Sequence, residues 1–326
     1  MRCHPRDKIR GFSVAGIMKK WIILIVIVVI LMFVMASGLA LAALKSDSAF
    51  FRIPREMIQS LLSGEKFSFG LLTNTFDIDE ISSDSVKGIN RIEILTVSSD
   101  ITIHLTDSSD IEVALKGVFR TTGNKPVRLE KSKKGSALSF KVEYPKGRIN
   151  SSSDMKMDVY LPKSYENTLK VTTVSGDIMA KELLNEANIF DSVSGNIKID
   201  KILFSDVKAT MVSGDAIIGL ETVREKAVLD INSVSGNIRL DFAKPLGANK
   251  NKEDIKVETV SGHVDIYLPD NSSFTVKYES TSGKLSSDFP MTIESSGKFS
   301  SSGTVNQGNG QIKVQTVSGK LSLYKN

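Results

Sequence analysis

The sequence predicts an all-β chain: a parallel β-solenoid with a more irregular antiparallel N-terminal part, preceded by one transmembrane helix. Three observations carry the solenoid. A Val-Ser-Gly-like step recurs eight times, apolar residues alternate with polar ones on both sides of it, and its spacing is that of a short coil. A unit of this size cannot bury its own apolar face, so it must stack on copies of itself.

The steps are Val97-Ser98-Ser99, Val174-Ser175-Gly176, Val193-Ser194-Gly195, Val212-Ser213-Gly214, Val234-Ser235-Gly236, Val260-Ser261-Gly262, Thr281-Ser282-Gly283 and Val317-Ser318-Gly319. Ahead of them run apolar pairs such as Ile92 and Ile94, Leu169 and Val171, Leu229 and Ile231, and Ile312 and Val314; the copy at Val193 departs, with Asn188 and Phe190. Behind them run pairs such as Ile101 and Ile103, Ile197 and Ile199, Ile238 and Leu240, and Leu321 and Leu323. Period-2 alternation marks strands with one buried face. The apolar parity flips at the junction before each Val, which one flat strand cannot do without turning its core face to solvent. Each step must therefore hold a bulge or corner.

From Ser175 the steps are 19, 19, 22, 26, 21 and 36 residues apart. Propeller blades need about 40 residues, and the leucine-rich and calcium-binding nonapeptide patterns are absent. Asp158-Val159-Tyr160-Leu161-Pro162 stands before Ser175-Gly176 as Asp265-Ile266-Tyr267-Leu268-Pro269 stands before Ser282-Gly283, so both halves belong to one repeat system.

Along the chain, Phe76, Ile78 and Ile81 start a first strand. Val127 and Leu129, a turn at Ser132-Lys133-Lys134-Gly135, and Leu138, Phe140 and Val142 read as an antiparallel hairpin. After a polar loop from Gly147 to Asp154, Met155, Met157, Val159 and Leu161 alternate as a strand. Helix signals are confined to Pro54–Leu62, closed by Gly64, and to a helical turn at Lys181 to Ala187.

The expected organisation is a basic cytoplasmic tail over 1–20, an anchor over 21–44, a juxtamembrane stalk over 45–75 and the repeat solenoid over 76–326. Trp21 to Leu44 carries no charge. As a helix it would be about 36 Å long, enough for a hydrocarbon core of about 30 Å. Arg2, Arg6, Lys8, Arg10, Lys19 and Lys20 precede it against Asp7 alone, which keeps the N-terminus inside and sends the repeats out. The alternative is secretion after cleavage near Ala40-Leu41-Ala42; Met18 is an alternative start that leaves this topology intact. The same six basic residues and one acid account for the whole formal charge of +5. Beyond residue 20 the two signs balance, and with few aromatic residues this argues against nucleic acid. Cys3 is the only cysteine, so the exported part has neither disulfide nor thiolate metal site.

The residues after each step, Asp100, Asp177, Asn196, Asp215, Asn237, His263, Lys284 and Lys320, are expected to line up in a row. They could form a calcium or sugar ladder, but Asn and Lys interrupt the anionic run a hard cation prefers, and Gly-Asx pairs are good turn formers. His104 and His263 read as surface histidines, since no G-x-S-x-G or H-E-x-x-H accompanies them. Asp107, Asp110 and Asp154 read as solvated loop residues, and Gly308-Asn309-Gly310 as a turn. No residue is assigned a catalytic, cofactor-binding or metal role.

The recurrent [TS]-V-S-G-[DN]-I with alternating flanks, the Y-L-P element and the N-terminal anchor resemble the bacterial putative adhesins, domain of unknown function 4097, over about residues 76 to 326. The resemblance implies a β-solenoid, often membrane-anchored and sometimes tied to envelope-stress systems, with no catalytic residues to carry over. Ser99, Thr281 and the 36-residue final interval depart from the pattern. The expectation is a non-catalytic cell-envelope protein that presents the solenoid for adhesion, envelope interaction or stress regulation. Its partners would be the membrane, through Trp21 to Leu44, and cell-wall glycan or another envelope protein. The alternative is a polysaccharide lyase or hydrolase on a β-helix scaffold, an analogy at the level of fold alone.

Overall fold

The computed structural model describes residues 74–145, 151–247, 253–297 and 299–326, with the backbone alone at 151, 152, 204 and 222–226. The tail, the anchor and nearly all of the stalk lie outside the described residues; residues 74 and 75, assigned to the stalk, open the first strand.

Strands are numbered β1 to β21 along the chain, and each corner step joins two of them. The strands leading in are β2 (Arg91–Leu95), β8 (Thr168–Thr173), β10 (Ala187–Ser192), the second parts of β11 (Ile197–Met211) and β12 (Ala216–Ser235), β14 (Glu253–Ser261), β16 (Phe274–Ser280) and β20 (Gly310–Ser318). Those leading out are β3 (Asp100–Thr106), β9 (Ile178–Ala180), the first parts of β11 and β12, β13 (Ile238–Phe242), β15 (Val264–Leu268), β17 (Leu285–Ser287) and β21 (Leu321–Lys325). Incoming strands pair in parallel with incoming ones and outgoing with outgoing. The result is an all-β stack of coils paired in parallel, with register shifts where β11 bends from one row into the other.

The stacking order departs from the chain order at both ends. In the middle, coils follow one another as they do in sequence. At the C-terminal end β20 lies between β14 and β16, and β21 between β15 and β17. At the other end β2 lies between β8 and β6 (Ala137–Glu143), and β3 between β9 and β7 (Ser151–Pro162). The irregular spacings thus have a cause: the last coil returns into a slot between two earlier ones.

Antiparallel strands close the ends. β1 (Asn74–Ser85) pairs with β4 (Asp110–Thr121), which pairs with β7, while β5 (Arg128–Lys134) and β6 form the expected hairpin. β1 and β5 are clasped by Arg128 to Glu80 at 2.8 Å and Lys131 to Asp84 at 3.1 Å. At the far end β16, β19 (Ser300–Val305) and β18 (Thr292–Ser296) run antiparallel.

The alternating apolar residues form one buried core, with Ile92, Ile94, Leu169, Val171, Ile238, Leu240, Leu321 and Leu323 among them. Asn188 replaces an apolar residue and is fully buried, but its Nδ2 donates to the Asn185 carbonyl at 3.1 Å.

Several local expectations need correction. Lys181 to Ala187 is not helical: Leu183 bridges to Ile202 in parallel and is buried, which an extended backbone allows and a helical turn would prevent. The hairpin strands run on through Lys134 and the turn moves to Gly135-Ser136, where Gly135 takes φ of 59°. Asp154 lies within β7 rather than in a loop.

Candidate functional site

Every corner turns the residue before its Val or Thr inward, but not every one closes through a hydroxyl: Met211 has none, and the Thr259 and Thr316 hydroxyls have no hydrogen-bond partner among the described residues. Thr96, Thr173 and Ser192 are buried. Their hydroxyls accept the N–H groups of Ser99, Gly176 and Gly195 at 3.3, 3.0 and 2.9 Å, closing a tight turn. That turn is the parity flip seen in the sequence. The following Ser donates its hydroxyl to the Val carbonyl of the coil beneath, as from Ser194 to Val174 at 3.1 Å and from Ser235 to Val212 at 3.3 Å. Gly is required by close approach. A Cβ on Gly195 would lie 1.9 Å from the Gly176 carbonyl oxygen, and one on Gly236 would lie 2.0 Å from that of Gly214. Ser99 heads this row, with no step glycine ahead of it, which accounts for its departure from Gly.

The row after Gly forms as expected, in the order Asp100, Asp177, Asn196, Asp215, Asn237, His263, Lys320. Each side chain accepts the backbone N–H of the next coil. Asp177 donates to Asp100 at 3.0 Å, Asn196 to Asp177 at 2.8 Å, Asp215 to Asn196 at 2.9 Å, Asn237 to Asp215 at 2.7 Å and His263 to Asn237 at 3.1 Å. Lys320 donates its N–H to His263 Nδ1 at 3.2 Å. Asp, Asn and His interchange because each offers a side-chain acceptor; Lys offers none, and the ladder ends at Lys320 and Lys284. These polar groups are held by neighbouring coils, so the ladder is a structural device. Among the described residues no three His, Cys, Asp or Glu side chains converge as a metal site.

His104 faces outward as its parity predicts, bonding the Asp158 carboxylate at 3.1 Å and stacking on Tyr160 at 5.1 Å between centroids. Both partners of this His-Asp pair are substantially exposed. Asp107 pairs with Lys163 at 2.9 Å, and Asp110 begins β4. The turn falls at Asn306-Gln307, where Asn306 takes φ of 53°, rather than at Gly308-Asn309-Gly310, which leads from it into β20 with Asn309 Nδ2 donating to the Gly247 carbonyl at 3.0 Å. A concavity of about 380 Å³ lies beside β1, lined by Asp77, Asp79, Glu80 and Arg128, but Glu80 is engaged by Arg128 and by the Leu129 N–H at 2.6 Å.

What sequence reasoning missed lies on the outer face of the outgoing strands. Tyr267 of β15 and Tyr324 of β21 stack at 4.8 Å, and the Arg239 guanidinium covers Tyr267 at 4.3 Å from its centroid. Arg239 also binds both Asp241 oxygens, at 3.1 and 3.0 Å, and that bond raises its pKa above the ordinary arginine value. Tyr267 and Tyr324 are equivalent in the repeat frame, so a signal existed. Their contact was hidden because it requires the last coil to sit directly on the β15 coil.

The family model described as Toastrack DUF4097 matches residues 89–242 and 190–324 of this chain. A search of curated proteins finds no significant match. Among solved structures, a putative cell adhesion protein from Clostridium sporogenes is similar at 12 % identity and a TM-score of 0.35, covering 77 % of this chain and 100 % of that one. A putative adhesin from Bacteroides fragilis is similar at 12 % identity and a TM-score of 0.39, covering 76 % and 97 %.

Proposed function

The chain belongs to the Toastrack DUF4097 family, and from that premise we propose a non-catalytic cell-envelope protein, anchored through Trp21 to Leu44, whose exported solenoid presents an extended binding surface for adhesion or envelope interaction. One observation carries this reading. The repeated polar residues are engaged in coil-to-coil hydrogen bonds, which builds a rigid platform rather than a cleft in which a base and an acid meet at matched geometry. Charged side chains of the outer faces pair with one another, along a strand as Lys256 does with Glu258 and Lys277 with Glu279, or between coils as Lys170 does with Asp191. Cell-wall glycan is the partner that the Tyr267–Tyr324 stack suits best, since aromatic rings offer apolar contact beside hydrogen-bonding groups.

The full-length purified chain should be retained on isolated cell walls without releasing new reducing ends or unsaturated sugars. Release abolished by a single Asp, Glu or His substitution would establish the polysaccharide-acting enzyme instead. Protease added to intact protoplasts should remove the solenoid and leave a short protected fragment; full protection would refute the topology.

A further inference from the structure

The ladder ends in cations, and nothing in the fold asks for them. Asp100 to Asn237 must carry acceptors for the next coil, and His263 meets the same need through Nδ1. Lys320 and Lys284 follow, each immediately before one of the adjacent strands β21 and β17, where the Leu321 N–H donates to the Lys284 carbonyl at 3.0 Å. Both are exposed, and neither makes an ion pair among the described residues. Like charges facing each other on neighbouring strands destabilise a sheet. Their juxtaposition arises only because the last coil slots between the β14–β15 and β16–β17 coils. Of the acids nearby, Asp241 binds Arg239 and Asp265 lies close enough to act on it, while Asp288 is held beside Tyr324 by its N–H on the Leu323 carbonyl at 2.9 Å.

The same face carries features that suit a sugar chain. Two residues beyond Lys320 lies Ser322, 1 % exposed, whose Oγ has no hydrogen-bond partner among the described residues. Next stand Tyr324 and Tyr267, stacked on each other with Arg239 behind. With Nδ1 engaged as an acceptor, His263 holds its Nε2 as the remaining donor, and that side chain is exposed. Ammonium groups, an imidazole donor and an aromatic wall therefore share one end of one face. Farther along the ladder, Asp215, Asp177 and Asp100 repel an anion, which confines the site to this end.

We propose that the row His263, Lys320, Lys284, beside the Tyr267–Tyr324 wall, is a binding site for an anionic glycan strand, with phosphodiester or carboxylate groups on the lysines and the sugar or polyol backbone against the tyrosines. The proposal rests on the binding-surface reading and narrows its ligand class.

The test measures binding of the full-length chain to poly(glycerol phosphate), polygalacturonate, neutral dextran and phosphatidylglycerol vesicles. One or both anionic polymers should bind, identifying the phosphodiester or the carboxylate as the recognised group, and dextran should not. The double variant Lys284→Gln/Lys320→Gln should weaken that binding by about tenfold or more, and Lys284→Arg/Lys320→Arg should retain it. Lys133→Gln/Lys134→Gln on β5 removes the same charge and should change affinity by less than about twofold. Equal losses in the two Gln pairs, equal binding of dextran, no binding of either anionic polymer, or binding of vesicles alone would each overturn the proposal. Wall retention that survives Lys284→Gln/Lys320→Gln would refute this site while leaving the binding-surface reading intact.

Discussion

The middle coils and the end coils use one motif to different ends. From β8 to β14 each coil rests on its sequence predecessor, bound by the Gly contact, the Ser bond and the Asx ladder. At either end the same contacts join coils distant in sequence: Ser99 with Gly176 across 77 positions, and Gly262 with Gly319 across 57. The corner motif thus fixes how two coils meet but not which two. Among the described residues, threading the first and last coils between others leaves as sheet edges β1, two hairpin strands and the three-residue β17, and edges are where strands pair wrongly.

If the last coil is truly inserted, it must be as firmly held as a middle one. Leu323→Ala should cost about 2 to 5 kcal/mol in chemical denaturation, as should Ile238→Ala. Both side chains are 1 % exposed. A fraying terminal coil would instead make Leu323→Ala cost below about 0.5 kcal/mol.

Gly195→Ala, in a middle coil, should cost about 1 to 3 kcal/mol or more, because the added Cβ meets a backbone oxygen that cannot yield. Ser99→Ala, at the head of the row, should stay within about 0.5 kcal/mol, since the Ser99 Oγ has no partner to lose. Similar losses at both positions would mean that the glycine row does not begin where the structure begins it.

At the seam with the inserted coil, His263→Ala should cost about 0.5 to 1.5 kcal/mol by stranding the Lys320 N–H, and His263→Asn should restore the acceptor. Equal thermal stability of these two variants would deny the ladder its continuation into the last coil.

The smallest expected change is a gain, also at this seam. Glu253 is buried at the start of β14 with one oxygen on the Gly247 N–H, and burial raises its pKa above the usual 4.5. The folded state therefore binds the proton more tightly than the unfolded one, and stability from this group falls as pH rises above that value. Glu253→Gln should stabilise the protein at neutral pH, by an amount that shrinks on acidification. A constant difference across pH would show that the Glu253 carboxyl does not titrate in this way.

Much of the fold was legible because it is written locally. Alternation placed Ile238 and Leu240 inside and Arg239 outside, and the flip before each Val located the corners. The coil order was not legible, since every incoming strand offers the same edge to every other. The short run around Leu183 resembled a helical turn for a similar reason: its partner, Ile202, lies in another coil. For the candidate site, the polar row could be read from the residues after Gly, but its use as acceptors appears only with the hydrogen bonds. The Lys320–Lys284 pair is separated by 36 positions and becomes a site only through the insertion.

The insertion itself can be tested by crosslinking. In a Cys3→Ser background, Ser261→Cys/Ser318→Cys joins residues that face each other on adjacent strands, about 4.8 Å apart. Ser261→Cys/Ser282→Cys spans two coils, about 9.6 Å and beyond the roughly 7 Å limit of a disulfide. The interleaved order predicts rapid oxidation of the first pair and none of the second. Closure of 261 with 282, and not with 318, would show that the coils stack in chain order and would dissolve the lysine row with them.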